Sequence, residues 1–410
     1  MSPLYYAYGN ASEEILWAYA RAKLLDRKLV IIAPARYTQV LGYTICNIDL
    51  FNLDFGYKFN FFELLLTYLV SFIINLVFFL SRLYAITVKK FFNIKLNERF
   101  FFPKIGRNLY FPIFNDTNGD LKKYEEDLIL EVFQSIAPPT VNLNNKVSES
   151  LIFDELMVQV DSKFVCLHVR DSGFKNDAGR RYYRNADIDN YIPAIKMLIA
   201  EGFSVIRIGD KSMQKCNFTH DKFIQLFEMK SDVALLELLV VQHCEFYIGM
   251  QSGPYDLALL FQKPILLLNM YACFFWGPMK QIDRGLLKKM IIKDIGEVNS
   301  LSKRFNLPFR FNDISNVFKT EEVIFIENSP SEVLTATKLF YNDYLLGFSN
   351  ESESIVSNRK LYKLSSKKVL EEYLLHSETH YDEFTFSRAI YHELSFKGSY
   401  YCNSSLKKEL

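Results

Sequence analysis

The sequence is poor in several features that would place it in a class at once. It has no charge excess: 48 lysines and arginines against 47 aspartates and glutamates leave a formal net charge of +1 over 410 residues. Nucleic-acid binders ordinarily show a basic surplus, so the balance argues against that partner. The six cysteines, at 46, 166, 216, 244, 273 and 402, are scattered, with no Cys-x-x-Cys pair and no Cys/His cluster. Neither a zinc site nor a disulfide framework is indicated, and a reducing cytoplasm is the expected setting. The first residues lack a basic stretch followed by an apolar one, so no secretory signal is expected. No internal repeat is visible.

What the chain does have is apolar residues, 50 % of the total, enough for a sizeable core, and a length that suggests two domains. Pro3 to Tyr8 reads as a strand, Gly9 as a turn, Ser12 as the cap of a helix to about Leu25, and Leu29 to Ala33 as a second strand. That is the opening of a Rossmann-like domain over residues 1–145. An unusual segment, about 58–107, interrupts it. Leu64 to Ser81 is 18 residues without a charge, and 82–107 then holds seven basic residues and one acid, Glu98. The run is at the lower limit for a span, and Thr67, Ser71 and Asn75 dilute it. An apolar helix beside a basic segment suits an anionic bilayer surface, where each basic residue adds ~1 kcal/mol. Peripheral docking is the favoured reading; a buried core helix and a true span are the alternatives. Leu128 to Ile136 reads as a helix ended by Pro138-Pro139. The polar stretch Asn142 to Lys146 marks the boundary, and Leu151 to Val158 reads as a helix leading into the second domain.

Residues 146–300 have clearer grammar. Strands are expected at Phe164–Val169, Phe203–Ile208, Phe246–Gly249 and Pro264–Leu268. Helices lie between them: one capped by Asp187 and ended by Gly202, one over Asp232–Gln242, and one after Gly253-Pro254. Such alternation implies an α/β domain with a doubly wound parallel sheet. Residues 301–410 complete this domain and end in a helical tail, with one more strand near Glu322–Ile326 and a helix start at Ser329-Pro330-Ser331-Glu332.

Polar residues gather where these strands stop. The first loop carries His168, Arg170 and Asp171; the second, Gly209 and Asp210; the third, Gln251, Ser252 and Gly253 at a helix start. Ligands of open α/β sheets bind beyond the carboxyl ends of the strands. Arg170 there can grip a phosphate through its planar fork, and Ser252 with the Gly253 amide can complete the cradle. Asp210 or Asp256 can accept from ribose hydroxyls. A phosphorylated donor such as a nucleotide-sugar fits this set. Salt-bridging of Arg170 and a plain N-cap at Ser252 are the simpler alternatives. Arg180, Arg181 and Arg184 can neutralise a leaving diphosphate. Asp187-Ile188-Asp189 has the form of a metal motif, but its place at a helix start favours capping. Candidates for the base that takes an acceptor proton are Asp171, His168, Glu13 and Glu14.

His168-Val169-Arg170-Asp171, Tyr183-Arg184-Asn185-Ala186-Asp187-Ile188, Tyr191-Ile192-Pro193-Ala194-Ile195, and Val205 to Asp210 together resemble a family of bacterial glycosyltransferases encoded among surface-polysaccharide genes. Gly249, Ser252-Gly253 and Lys263-Pro264 resemble that family's second motif block. The resemblance covers roughly 150–330. The His-x-Arg element is also distantly similar to fucosyltransferases that use GDP-fucose, which carry a second arginine where this chain has Asp171. The resemblance implies a GT-B fold, two Rossmann-like domains facing across a cleft, with the donor on the C-terminal one and no metal or other cofactor. It implies transfer of a sugar to a lipid-linked glycan acceptor of LPS, O-antigen or capsule type at the inner membrane. A catalytically inactive scaffold and a nucleotide-sugar epimerase of the same plan are the rival functions.

Overall fold

The computed structural model describes residues 8–32, 47, 49–92, 135–143, 163–173, 182–229, 233–273, 277–298, 300–307, 323–349, 351–376 and 399–401. The chain divides into two compact units, one of Met1–Asn144 with Leu259–Gln262, the other of Asn145–Ala258 and Lys263–Leu410.

In the first unit, helix α1 spans Tyr8–Leu24, strand β1 Leu53–Asp54, helix α2 Phe61–Phe92 and strand β2 Thr140–Val141. β1 and β2 form an antiparallel pair, and among the described residues this unit holds no parallel sheet. Helix α1 begins a turn earlier than the sequence suggests. Ala11, Ile15 and Tyr19, flanked by Ser12, Leu16 and Ala20, are all buried. That helical stripe reaches back past Ser12, so Ser12 lies inside the helix rather than capping it, and Gly9 sits in its first turn. The strand expected at Pro3–Tyr8 lies outside the described residues except for Tyr8, which is helical. Leu29 to Ile32 is not in a strand. The helices expected at Leu128–Ile136 and Leu151–Val158 fall outside the described residues but for 135–136, and so do residues 93–107 of the basic segment.

Helix α2 has its polarity inverted. Thr67 and Ser71 are partly covered and Asn75 is buried, with its amide donating to the Ser71 carbonyl at 2.9 Å. The apolar residues face out: Phe61, Phe62 and Tyr68 are 73, 78 and 72 % exposed. Among the described residues no helix is long and apolar enough to cross a membrane.

The second unit is built on a seven-stranded sheet of β3 (Phe164–Leu167), β4 (Ser204–Arg207), β5 (Phe223–Gln225), β6 (Tyr247–Gly249), β7 (Ile265–Met270), β8 (Arg284–Leu287) and β12 (Ser399–Tyr400). Its order is β12-β8-β7-β6-β3-β4-β5, and every pairing is parallel. The chain winds outward from β3 through β4 to β5, then returns to the other side of β3 at β6 and winds on to β8. This is the Rossmann-like order, with its topological switch point between β3 and β6. Three further strands, β9 (Lys289–Ile292), β10 (Gly296–Val298) and β11 (Val323–Ile326), form a separate antiparallel sheet.

Helices α3 (Ile192–Ala200), α4 (Val233–His243), α5 (Gly253–Leu260), α6 (Leu301–Phe305), α7 (Pro330–Leu345) and α8 (Glu353–His376) complete the unit. Ile195 and Leu198 of α3 and Val333, Ala336 and Phe340 of α7 share one core with Val165, Leu167, Val205 and Ile248 of the sheet and with Phe246 just before β6. Alternate strand residues face the other side, where Cys166 lies near Cys244 and Glu237. Ser329 and Glu332 form a capping box at the start of α7, with Pro330 in its first turn. The tail is more than a helical appendage, since β12 adds an edge strand to the main sheet beside β8.

Candidate functional site

The ladder carries the site residues past the ends of their strands. The His168 amide donates to the Ile248 carbonyl at 2.9 Å, and the Ile208 amide to Leu167 at 2.9 Å. The residues after β3 therefore sit between those after β4 and β6. The structure brings the predicted His168, Arg170, Asp171, Arg184, Gly209, Gln251, Ser252 and Gly253 to this one edge, around the switch point.

Arg170 is 3 % exposed. Its guanidinium donates to Asn185 Oδ1, and its carbonyl accepts from the Ala186 amide at 2.9 Å. It is a fixed, buried cation rather than a loose arm. Arg184 is half-buried and donates to the Gln251 carbonyl at 3.1 Å, which joins the 182–184 turn to the loop after β6. Arg180 and Arg181 lie outside the described residues.

Two cations at this edge were not singled out from the sequence. Arg207, fully buried at the end of β4, donates to the Gln214 carbonyl at 2.6 Å and to Gln225 Oε1 at 2.9 Å. Lys288 follows β8 directly and donates to the Asn185 carbonyl. Burial lowers its pKa to about 8, against the opposing pull of Glu327. A charged residue ending an apolar strand was the available signal for both.

His168 is 3 % exposed, with Nδ1 3.3 Å from the Ile208 carbonyl. A carbonyl only accepts, so Nδ1 carries the proton. Burial lowers the imidazole pKa to about 4, and the positive charges of Arg207, Arg170 and Arg184 add to the effect. It is neutral at pH 7 and a weak base.

Asp171 is an anchor. Oδ1 accepts from the Gly173 amide at 2.8 Å, Oδ2 accepts from the Gln214 amide at 2.7 Å and lies 3.6 Å from the Arg207 guanidinium. Both oxygens are engaged within the protein and the group is 6 % exposed. The geometry thus gives it a positioning role and counts against its assignment as general base.

Gln251 is likewise engaged within the protein. Its Oε1 accepts from the Tyr271 and Ala272 amides at 2.9 and 3.1 Å, and its Nε2 donates to the Ala272 carbonyl at 2.8 Å. It stitches the loops after β6 and β7 together instead of presenting its amide to a ligand. Ser252 Oγ donates to the Met250 carbonyl at 3.3 Å, and Gly253 opens α5. Asp256 is buried in the first turn of α5. Asp210 is exposed and turns its Oδ1 back to the Ser212 amide and hydroxyl, at 2.9 and 2.6 Å.

Gly209 has φ +153°, a conformation that residues with a side chain rarely adopt, and a Cβ there would stand 2.5 Å from Met213 Sδ, which would have to move. Its amide donates to Glu237 Oε1 at 3.1 Å. Glu237, the one acid within α4, keeps some exposed surface yet is densely surrounded. Burial pushes its pKa up to about 8, with Asp210 adding to the rise and the Gly209 amide opposing it. A lone carboxylate in the run Val-Ala-Leu-Leu-Glu-Leu-Leu-Val-Val was its sequence signal.

The Asp187 and Asp189 carboxylates are engaged within the protein, Asp189 also accepting from the Asn217 side-chain amide. Asp187 caps the short helix Ile188–Tyr191 by accepting from the Asp189 amide, and Asp189 accepts from the Asn217 amide at 2.9 Å. Glu13 and Glu14 both lie on α1 in the first unit, Glu13 half-buried and Glu14 buried.

The assembled edge gathers four cations, Arg170, Arg184, Arg207 and Lys288. Carboxylates stand among them: Asp171 is committed to Arg207 and two backbone amides, Glu327 acts on Lys288, Glu237 is tied to the Gly209 amide, and Asp210 to Ser212. Such an edge attracts an anion, and the amides at the start of α5 favour the same charge. Comparison with known proteins matches this chain to no family model, no curated protein and no solved structure.

Proposed function

We propose that the protein is a glycosyltransferase that moves a sugar from a nucleotide-sugar to a surface-glycan acceptor of LPS, O-antigen or capsule type. The observation that carries the reading is the gathering of four cations at the switch point of a Rossmann-like sheet, the place such sheets use for nucleotides. A diphosphate would bring charge to match. Half-buried Arg184 is the better placed to touch it, while Arg170 supplies fixed positive charge behind. As the sugar leaves, the arginines stabilise the departing diphosphate, and no bound metal is called for. On this reading the second unit is the donor half of a GT-B arrangement and the first unit, with Glu13 and Glu14, the acceptor half. A lipid-linked acceptor places the protein on the cytoplasmic face of the inner membrane, and the outward apolar surface of α2 supports that location.

One observation favours a second reading, a scaffold that binds donor without turnover. Asp171 is fully engaged and His168 titrates near pH 4, so neither donor-side base candidate is poised for work at pH 7. Incubating the full chain with labelled UDP-, GDP-, dTDP- and CMP-sugars, with and without a glycolipid extract, separates the possibilities. Acceptor-dependent labelling supports transfer. Labelled donor recovered unchanged supports the scaffold, and conversion of donor without acceptor supports an epimerase.

A further inference from the structure

The first unit contains a cavity of about 350 Å³, within the lower range of small-molecule sites. Segment 51–59 supplies much of its lining, including four rings: Phe51, Phe55, Tyr57 and Phe59. Asn52, Asp54 and Asn142 contribute polar groups, and Leu64 and Thr67 come from the start of α2. The Phe55 and Tyr57 rings stack with centroids 6.2 Å apart. One ammonium ties the walls together: Lys28 Nζ binds the Glu63 carboxylate at 2.6 Å and the Lys58 carbonyl at 2.7 Å, and lies 5.4 Å from the Phe59 ring centroid.

We propose that this cavity binds a neutral sugar unit, the terminal residue of the glycan acceptor. Three features select that chemistry. Aromatic faces pack against the C–H face of a pyranose and exclude water from it. One carboxylate and two amides supply acceptors and donors for hydroxyls, with Asp54 oriented by the Gly56 amide at 2.7 Å from its Oδ1. Asp54 is the one charged side chain among the described lining residues; the ammoniums nearest the walls lie over the Phe59 and Tyr57 rings, Lys28 at 5.4 Å and paired with Glu63, Lys23 at 5.0 Å, so the first charge a phosphorylated ligand would meet is negative. A lipid tail would in turn bring hydrocarbon against the Asp54 carboxylate and the Asn52 amide, which costs their hydration. The position also fits, since the cavity lies at the foot of α2. A glycan whose lipid sits in a bilayer beside the outward apolar surface of α2 would present its sugar there. The term acceptor rests on the glycosyltransferase reading; the binding of a sugar rests on the cavity alone.

Saturation-transfer NMR on the full chain, with a panel of methyl glycosides (gluco, galacto, manno, rhamno and 2-acetamido forms), tests the assignment with and without UDP or GDP. At least one glycoside should receive saturation at its ring protons. Phe59→Ala and Asp54→Asn should each weaken its binding on the order of tenfold while melting like the parent; Asp54→Asn keeps the acceptor for Gly56 and so guards against a fold effect. Saturation of none of the glycosides, saturation undiminished in both variants, or displacement by a nucleoside monophosphate overturns the proposal. Nucleotide affinity at the second unit is read in the same samples, so failure of the sugar site is distinct from failure of the donor site.

Discussion

At the scale of single residues, the switch-point edge stores an imidazole away from its ordinary titration range. His168 is held neutral by burial and by three arginines, with a folded pKa of about 4 against roughly 6.5 when unfolded. Between these values the unfolded chain binds the extra proton, so stability is complete above pH ~6.5 and falls as the pH drops toward 4. The full loss from this one group is about 3 kcal/mol. His168→Gln should flatten that acid limb, measured as urea midpoints at pH 7 and pH 4.5. Glu237 carries the opposite slope, because a carboxyl whose pKa rises to about 8 weakens the fold as it ionises. Glu237→Gln should raise the melting temperature at pH 9 and leave it nearly unchanged at pH 4. The oppositely directed pair checks that both groups are enclosed as described.

At the scale of elements, the loops after β3 and β4 are locked by one buried ion pair. Asp171 joins Arg207 and the Gly173 and Gln214 amides. Asp171→Asn removes the nearest counter-charge of the buried guanidinium, leaving the more distant Asp189 and Glu228, and should cost about 3 kcal/mol, read by chemical denaturation. A larger effect on catalysis than this destabilisation explains would restore Asp171 as a candidate base. The sequence made the central elements legible because β3 and β4 are apolar runs closed by polar residues, and Asp187 and Ser329 are capping signals with a local mechanism. It did not reveal β5, β8 or β12. These are short, with three, four and two residues, and unlike the equally short β3, β4 and β6 they do not lie in an apolar run: β5 ends in Gln225, β8 begins Arg284-Gly285 and β12 is Ser399-Tyr400. Arg284 is completely buried, paired with Asp343 at 3.1 Å, a contact between residues far apart in the chain. The roles of Asp171 and Gln251 were hidden for the same reason. Their residue types suited a ligand site, but their partners at Arg207, Gln214 and the 271–272 backbone are set by tertiary structure.

At the scale of the whole molecule, the chain combines a unit built on a parallel sheet with one whose long helix turns its apolar side outward. Along α2 the exposed apolar positions cover about two thirds of the circumference, while the stripe of Thr67, Ser71 and Asn75 is the more covered one. Exposure on that scale ordinarily marks an interaction surface. Lys89 and Lys90, exposed at the end of α2, favour an anionic partner. The full chain should float with phosphatidylglycerol vesicles. Lys89→Glu with Lys90→Glu should weaken partitioning on the order of tenfold or more, and Leu66→Gln with Phe72→Gln should abolish it. Retention of flotation in both double variants would remove α2 from this role.

The claim on which the account turns is that the edge between β3 and β6 binds a nucleoside diphosphate. The direct measurement is calorimetric titration of the full chain with UDP, GDP and dTDP, with UMP, GMP and CMP as monophosphate controls, repeated on Arg184→Ala and Arg170→Lys. One nucleotide should bind well above the rest. Arg184→Ala should weaken it about 10- to 100-fold, the loss of a charge-assisted hydrogen bond, and Arg170→Lys, which keeps the charge but loses the fork, should weaken it less. Absence of binding by every nucleotide, or an affinity unchanged in Arg184→Ala and Arg170→Lys alike, would contradict it.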